Sequence, residues 1–220
     1  MKIRRLADIL KENSEFVPQW KHKKGALTNP KFGSIEQICV CDDFGTPKWD
    51  QYQIKENKGA IIIPYFESQN SSDNYRLYVG LIKCERFVPE DKDKKQGIIS
   101  LEFPRGVGEK CEDYITAAKR ELFEETGKKA LQINKIGEIN PNTAFYVTSI
   151  PVYQAEIDRS KSETIKNDGF ENILKAEYFP VQDVVKKVGN GEIVCGLTKA
   201  AFMHFIANRE SYLMCKEHKF

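Results

Sequence analysis

The sequence has no apolar run approaching the roughly 18 residues that a membrane-spanning helix needs, so no segment reads as one. Six cysteines are spread along the 220 residues, yet there is no CxxC pair and no His/Cys spacing of the zinc-ligand kind. Their scatter argues against a zinc ribbon. A disulfide scaffold does not suit a chain this long, and the thiols read as the reduced cysteines of a cytoplasmic protein. Net charge is scarce as well: 34 Lys and Arg against 32 Asp and Glu leave +2, too little to imply a nucleic-acid partner. The opening MKIRRLADILKEN lacks a cleavage-site pattern, and Asp8 and Glu12 do not suit a mitochondrial presequence.

What is present is the mixture of a soluble globular chain, 40% apolar and 30% charged. Ile3, Leu6, Ile9 and Leu10 fall at helical spacing and predict a short N-terminal amphipathic helix. Residues 13–34 are polar and irregular, and the basic KHKKG at 21–25 reads as a solvated loop. Two strands follow, Ile35 to Val40 and about Lys48 to Ile54, with DDFG as the turn between them. GAIIIPYF (59–66), YRLYVGLIKCERF (75–87) and IISLEF (98–103) predict three more strands. The charged PEDKDKKQG (89–97) is a loop. A helix is predicted over Glu112–Thr126, stopped by Gly127. Strands resume at LQINKIGEI, YVTSIPVYQAEI and LKAEYFP, and two helices end the chain. Strands grouped around one central helix, with more helix at the end, indicate an α+β fold.

Chemistry is concentrated in RELFEETG, residues 120–127. Residues three and four apart on a helix are neighbours, so Glu121 lies beside both Glu124 and Glu125. Like charges at that spacing cost roughly 0.2–0.5 kcal/mol per pair, and the C-terminal end of a helix disfavours anions further. Arg120, four residues before Glu124, can relieve one charge but not three. A solvated acidic face accounts poorly for such a conflict. A divalent cation held by hard oxygen ligands accounts for it well.

The spacing around these glutamates is specific. From Gly106 the chain reads GVGEKCEDYITAAKRELFEETGK, which matches G-x5-E-x7-R-E-U-x-E-E-x-G-U, U being a bulky aliphatic, except at Lys128. At residue frequencies of roughly 7% each, the seven obligatory matches would arise by chance on the order of once in a million such chains. The chain resembles the Nudix hydrolases. That resemblance implies an α/β/α sandwich with a mixed central sheet and hydrolysis of a diphosphate joining a nucleoside to another group. It implies Mg2+ or Mn2+ on Glu121 and Glu125 as the principal ligands, with Glu124 a further ligand or proton acceptor and the Arg105 carbonyl completing the site. Glu112 and Arg120 would orient the helix and loop. Lys128 would affect local packing only.

Features outside the box resemble the branch that cleaves ADP-ribose and nucleotide sugars. Residues 1–58 look like its N-terminal extension with a β-hairpin, an element that joins homodimers, before a Nudix domain at 59–220. Trp49, Tyr52 and Phe44 would be candidates for contact with the nucleobase. LEFPRG resembles the branch's Glu-Leu-Pro-Ala-Gly, so Arg86 would contact phosphate or ribose and Glu102 the ligand, with Arg105 replacing a small residue. The loop after the box offers Glu163 and Glu171 as general base, and Glu171, nearer the next strand, is favoured. Pro141 lies near where ADP-ribose enzymes carry a proline, at an offset too loose to use. Rival readings are a dinucleoside polyphosphate, dinucleotide or RNA-cap hydrolase, which the lysines at 21–24 and 92–95 would suit, and a non-catalytic nucleotide-sensing module. The intact box glutamates favour catalysis.

Overall fold

The computed structural model describes residues 2–13, 15–17, 27–30, 32–69, 75–86, 98–109, 111–160, 163–165 and 172–217, with backbone alone at 2–3, 69, 75 and 210–217. The lysine-rich stretches 21–25 and 89–97, and Glu171, lie outside the described residues. The chain divides into two compact units, one of residues 1–57 with 140–149, the other of 58–139 with 150–220.

In the first unit, strand β1 (Lys2–Arg5) leads directly into helix α1 (Leu6–Glu12). The N-terminal helix is therefore shorter than its apolar spacing predicts: Ile3 sits in a strand paired with Val40. Leu6 and Ile9 still form one buried face, packed on Cys39 and Cys41. Strand β2 (Leu27–Asn29) falls within the stretch expected to be irregular. It pairs with β3 (Gly33–Cys41), and β3 also pairs with β4 (Pro47–Glu56), which makes the expected hairpin. Asp42 fixes the turn by accepting from the amides of Phe44 (3.0 Å) and Thr46 (2.9 Å), the local bonding that suits Asp to turns. Residues 140–149 belong to this unit because Ile54 exchanges backbone bonds with Phe145 and Val147.

The second unit is a three-layer sandwich. Its strands are β5 (Gly59–Gln69), β6 (Tyr75–Arg86), β7 (Ile98–Glu102), β8 (Arg105–Val107), β9 (Ala130–Ile139), β10 (Ile150–Ile157) and β11 (Asn172–Pro180). The main order is β11-β6-β5-β10-β9, with β7 on β6 and β8 on β5. Among the described residues of this unit only the β5–β10 pairing is parallel, so the sheet is mixed. Helix α2 (Tyr114–Thr126) covers one face. Helices α3 (Val181–Gly189) and α4 (Gly196–Glu217) follow β11.

Strand alternation dictates these layers. Ala60, Ile62 and Phe66 point to the α2 face and meet Ala118 and Leu122. Ile61, Ile63 and Tyr65 point the other way, against Val184, Ala201 and Phe205 of α3 and α4. Each fully buried side chain such as Leu122 contributes about 1.5–3 kcal/mol. Helix α2 starts at Asp113, whose side chain accepts from the Thr116 amide at 2.7 Å, the usual N-cap bond. It stops at Gly127, whose φ of 66° is left-handed, as such caps require. The acidic turn is thus held on a helix fixed at both ends.

Candidate active site

Strand β8 and helix α2 bring the box residues together. The Arg120 guanidinium donates to Glu112 (3.1 and 3.0 Å), Glu121 (2.9 Å), Glu124 (2.9 Å) and the Val107 carbonyl (3.1 Å). Helical spacing assigns Arg120 a single carboxylate partner; it has three. The loop after β8 folds back over the helix and adds Glu112 to the carboxylates on Arg120, whose guanidinium relieves part of the clash among them. Glu112 also accepts from the Glu109 amide at 2.8 Å. The buried Glu125 turns away from this group and accepts from the Arg105 amide at 3.0 Å.

Gly106 is required for a reason different from a left-handed turn. A Cβ placed there would lie 1.9 Å from the Glu121 carboxyl carbon, so glycine provides the space in which that carboxylate sits. At the other end of the helix, a Cβ on Gly127 would lie 2.0 Å from the Glu163 carbonyl oxygen. Glu163 donates its amide to the Gly127 carbonyl, and its carboxylate pairs with Lys129 at 3.0 Å.

A second group forms across β6 and β7. Arg86 makes a bidentate pair with the buried Glu102 (2.9 and 2.8 Å), and Arg105 Nε stands 3.8 Å from the same carboxylate. Burial, the largest single influence, would raise the Glu102 pKa; the hydrogen bonds and charge of Arg86, together with Arg105 and Ser100, hold the carboxyl below its ordinary range. Glu112 is lowered too, chiefly by its Arg120 bonds. Burial works to lower the Arg120 pKa, and its carboxylate partners reverse the sign and raise it. Arg120 is therefore a fixed cation at every accessible pH.

Trp49 and Tyr52 lie on β4 of the other unit, opposite Val40 and Gln37. Three residues apart on a strand, they point to opposite faces. Trp49 is partly exposed and bonds Gln51 at 3.3 Å, whereas Phe44 is 96% exposed at its turn. Two residues of the helix surroundings were not legible: the Val107 contact is a backbone carbonyl, which leaves no side-chain signal, and Lys128 is buried, its ammonium donating to the Arg159 carbonyl at 3.1 Å.

Among the described residues no three acidic, His or Cys side chains are gathered as a ready ligand set. The donor chemistry nevertheless fits a hard divalent cation. Glu121, Glu124 and Glu125 are on one helix turn, Gly106 keeps the Glu121 carboxylate against the β8 loop, and three carboxylates share the single Arg120 guanidinium.

No curated protein matches the sequence at a significant level. Among solved structures, the crystal structure of an ADP compounds hydrolase is similar in fold, with a TM-score of 0.62 at 14% identity over 90% of this chain and 98% of that one. The sequence model of the NUDIX domain matches residues 75–194. That span is more than half of the chain and contains both the three-carboxylate group on Arg120 and the Arg86–Glu102 pair, and the chain belongs to the Nudix family of hydrolases.

Proposed function

We propose that this Nudix hydrolase cleaves the diphosphate of ADP-ribose or a nucleotide sugar, releasing a nucleoside monophosphate and a sugar phosphate. The observation that carries the reading is the packing of Glu121 into the space at Gly106, beside Glu124 on Arg120 and Glu125 on the Arg105 amide. The similar fold of a solved ADP compounds hydrolase supports the substrate class.

Glu121, Glu124, Glu125 and the Arg105 carbonyl would hold the ion, Mg2+ or Mn2+. Bound there, it would neutralise the diphosphate and lower the pKa of an attacking water. Arg120 keeps Glu121 and Glu124 oriented and, with Glu112, ties the β8 loop to α2. Arg86 and Arg105 supply two guanidiniums around Glu102. They suit a phosphate group, with Glu102 left to accept from a ribose hydroxyl. Trp49 is the ring we assign to the nucleobase, with Tyr52 on the opposite face of its strand. Glu171 accepts the water proton, and the N-terminal extension, residues 1–58, joins two copies as a cytoplasmic homodimer.

The test is a screen of purified protein with Mg2+ and Mn2+ against nucleotide sugars, ADP-ribose and dinucleoside polyphosphates, identifying both products. AMP plus ribose 5-phosphate from ADP-ribose is expected. Turnover of polyphosphates alone would refute the assignment.

A further inference from the structure

The second unit's sheet carries a cleft of about 660 Å3 on its α4 face, within the roughly 300–1,000 Å3 usual for small-molecule sites. Strand alternation sets its floor. Ile63 and Tyr65 of β5 face α4, and Gln154 and Glu156 of β10 stand in register with them, so all four side chains share that face. Asn134 and Gln132 of β9 stand opposite Gln154 and Glu156 in turn. Asn208 and Arg209 of α4 complete the lining. The box glutamates and Arg120 belong to α2, which covers the other face of the sheet. The diphosphate chemistry therefore does not use this place.

Two polar atoms of the lining are shut off from water and have no hydrogen-bond partner: the Gln154 amide oxygen and Arg209 Nε. One is an acceptor and the other a donor. Native interiors leave few such atoms unmet, and each one calls for a reason. The surrounding charges sharpen the demand. Arg209 lies over the Tyr65 ring at 4.4 Å and makes one long ion pair, 3.4 Å to Glu67. Glu156 is half-buried and in register with Tyr65. Its carboxylate makes no ion pair or hydrogen bond among the described residues. A guanidinium and a carboxylate thus neighbour the same tyrosine without pairing with each other.

An unmet donor on a cation, and an unmet acceptor beside an unpaired carboxylate, complement a molecule with an anion at one end and a protonated amine at the other. We propose that this cleft binds a free α-amino acid as its zwitterion. The α-carboxylate takes Arg209, whose five N–H donors leave several to spare beyond the one on Glu67. The α-ammonium, with three donors, takes the Gln154 amide oxygen and the Glu156 carboxylate. The side chain runs toward Gln132, Asn134 and Asn208, whose amides donate and accept and so suit an uncharged polar group. A sugar would meet the two unmet atoms but leave Glu156 without a counter-charge. A nucleotide would bring negative charge against Glu67, Glu156 and Asp158. This site does not depend on which diphosphate the box glutamates cleave.

The test is calorimetric titration of the full chain with the twenty L-amino acids one at a time, in EDTA and without substrate. Saturable binding is expected for at least one with an uncharged polar side chain, such as glutamine or asparagine. Its methyl ester lacks the carboxylate and its N-acetyl derivative lacks the ammonium. Each is expected to bind at least tenfold more weakly, a comparison that needs no change in the protein. Glu156→Gln and Arg209→Gln should weaken binding by the same margin, whereas Arg86→Gln and Glu125→Gln should leave it unchanged. Absence of saturable binding by every amino acid would overturn the proposal. So would binding indifferent to both blocked derivatives or to Glu156→Gln, or binding lost in Arg86→Gln, which would place the ligand at the diphosphate site.

Discussion

The Glu121 carboxylate occupies the space that any side chain at Gly106 would need, with its carboxyl carbon 1.9 Å from where a Cβ would stand. The loop and the helix are therefore fitted to one another around one acid. Gly106→Ala is expected to displace that carboxylate by an ångström or more. Misplacement on that scale costs about 10²-fold in turnover. Steady-state kinetics should show that loss while circular dichroism retains the wild-type helix content.

Arg120 ties Glu112, Glu121 and Glu124 to one cation. Arg120→Ala leaves three carboxylates without it, at a cost of about 1–3 kcal/mol in urea unfolding for these partly exposed groups. If the same carboxylates bind a divalent ion, Mg2+ should restore more stability to Arg120→Ala than it adds to the wild type, by mass action on the native state. Equal effects of Mg2+ on both proteins would mean that the ion binds elsewhere.

Acid should destabilise the protein through Glu102 and Glu112, whose folded pKa values are depressed. Burial opposes the Glu102 shift, and the bonds and charge of Arg86 together with Arg105 and Ser100 overcome it; at Glu112 the Arg120 bonds lead. An unfolded glutamate titrates at about 4.3. Above that pH both states are ionised and the stabilisation is fully present. Below it the unfolded chain binds protons first, and stability falls until the folded carboxyls titrate as well. Denaturation midpoints measured from pH 7 to pH 3 should drop below about pH 4.5, and Arg86→Gln should flatten part of that fall.

Gly127→Ala meets two obstacles, a left-handed φ of 66° and the Glu163 carbonyl oxygen 2.0 Å from the new Cβ. The backbone strain alone is about 1–2 kcal/mol. A thermal midpoint several degrees lower is expected, with faster proteolysis within 158–165 because the Glu163 amide bond to Gly127 is lost.

The α+β sandwich and the box were legible because both follow from short-range spacing. Alternating residues in GAIIIPYF separate the two faces of β5, and the helical repeat in RELFEETG places the glutamates together. What was not legible depends on chain reversals and backbone atoms. Residues 140–149 join the N-terminal unit through backbone bonds to Ile54 that no side chain advertises. The short strands Leu27–Asn29 and Arg105–Val107 owe their existence to longer partners, β3 and β5. Ile3 has helical spacing, but pairing with Val40 outweighs it. Lys128 looked like a packing defect in the box, and its burial against the Arg159 carbonyl depends on a turn 31 residues away.

The central claim is that the box glutamates carry out metal-dependent diphosphate hydrolysis. Its most direct measurement is turnover of ADP-ribose by the wild type and by Glu125→Gln across a Mg2+ titration, with both products identified. The account predicts AMP and ribose 5-phosphate from the wild type only when Mg2+ or Mn2+ is present. Glu125→Gln should be at least a hundredfold slower at every metal concentration, on the scale of losing a charge-stabilising group. Undiminished turnover by Glu125→Gln, or wild-type turnover that persists in EDTA, would contradict it.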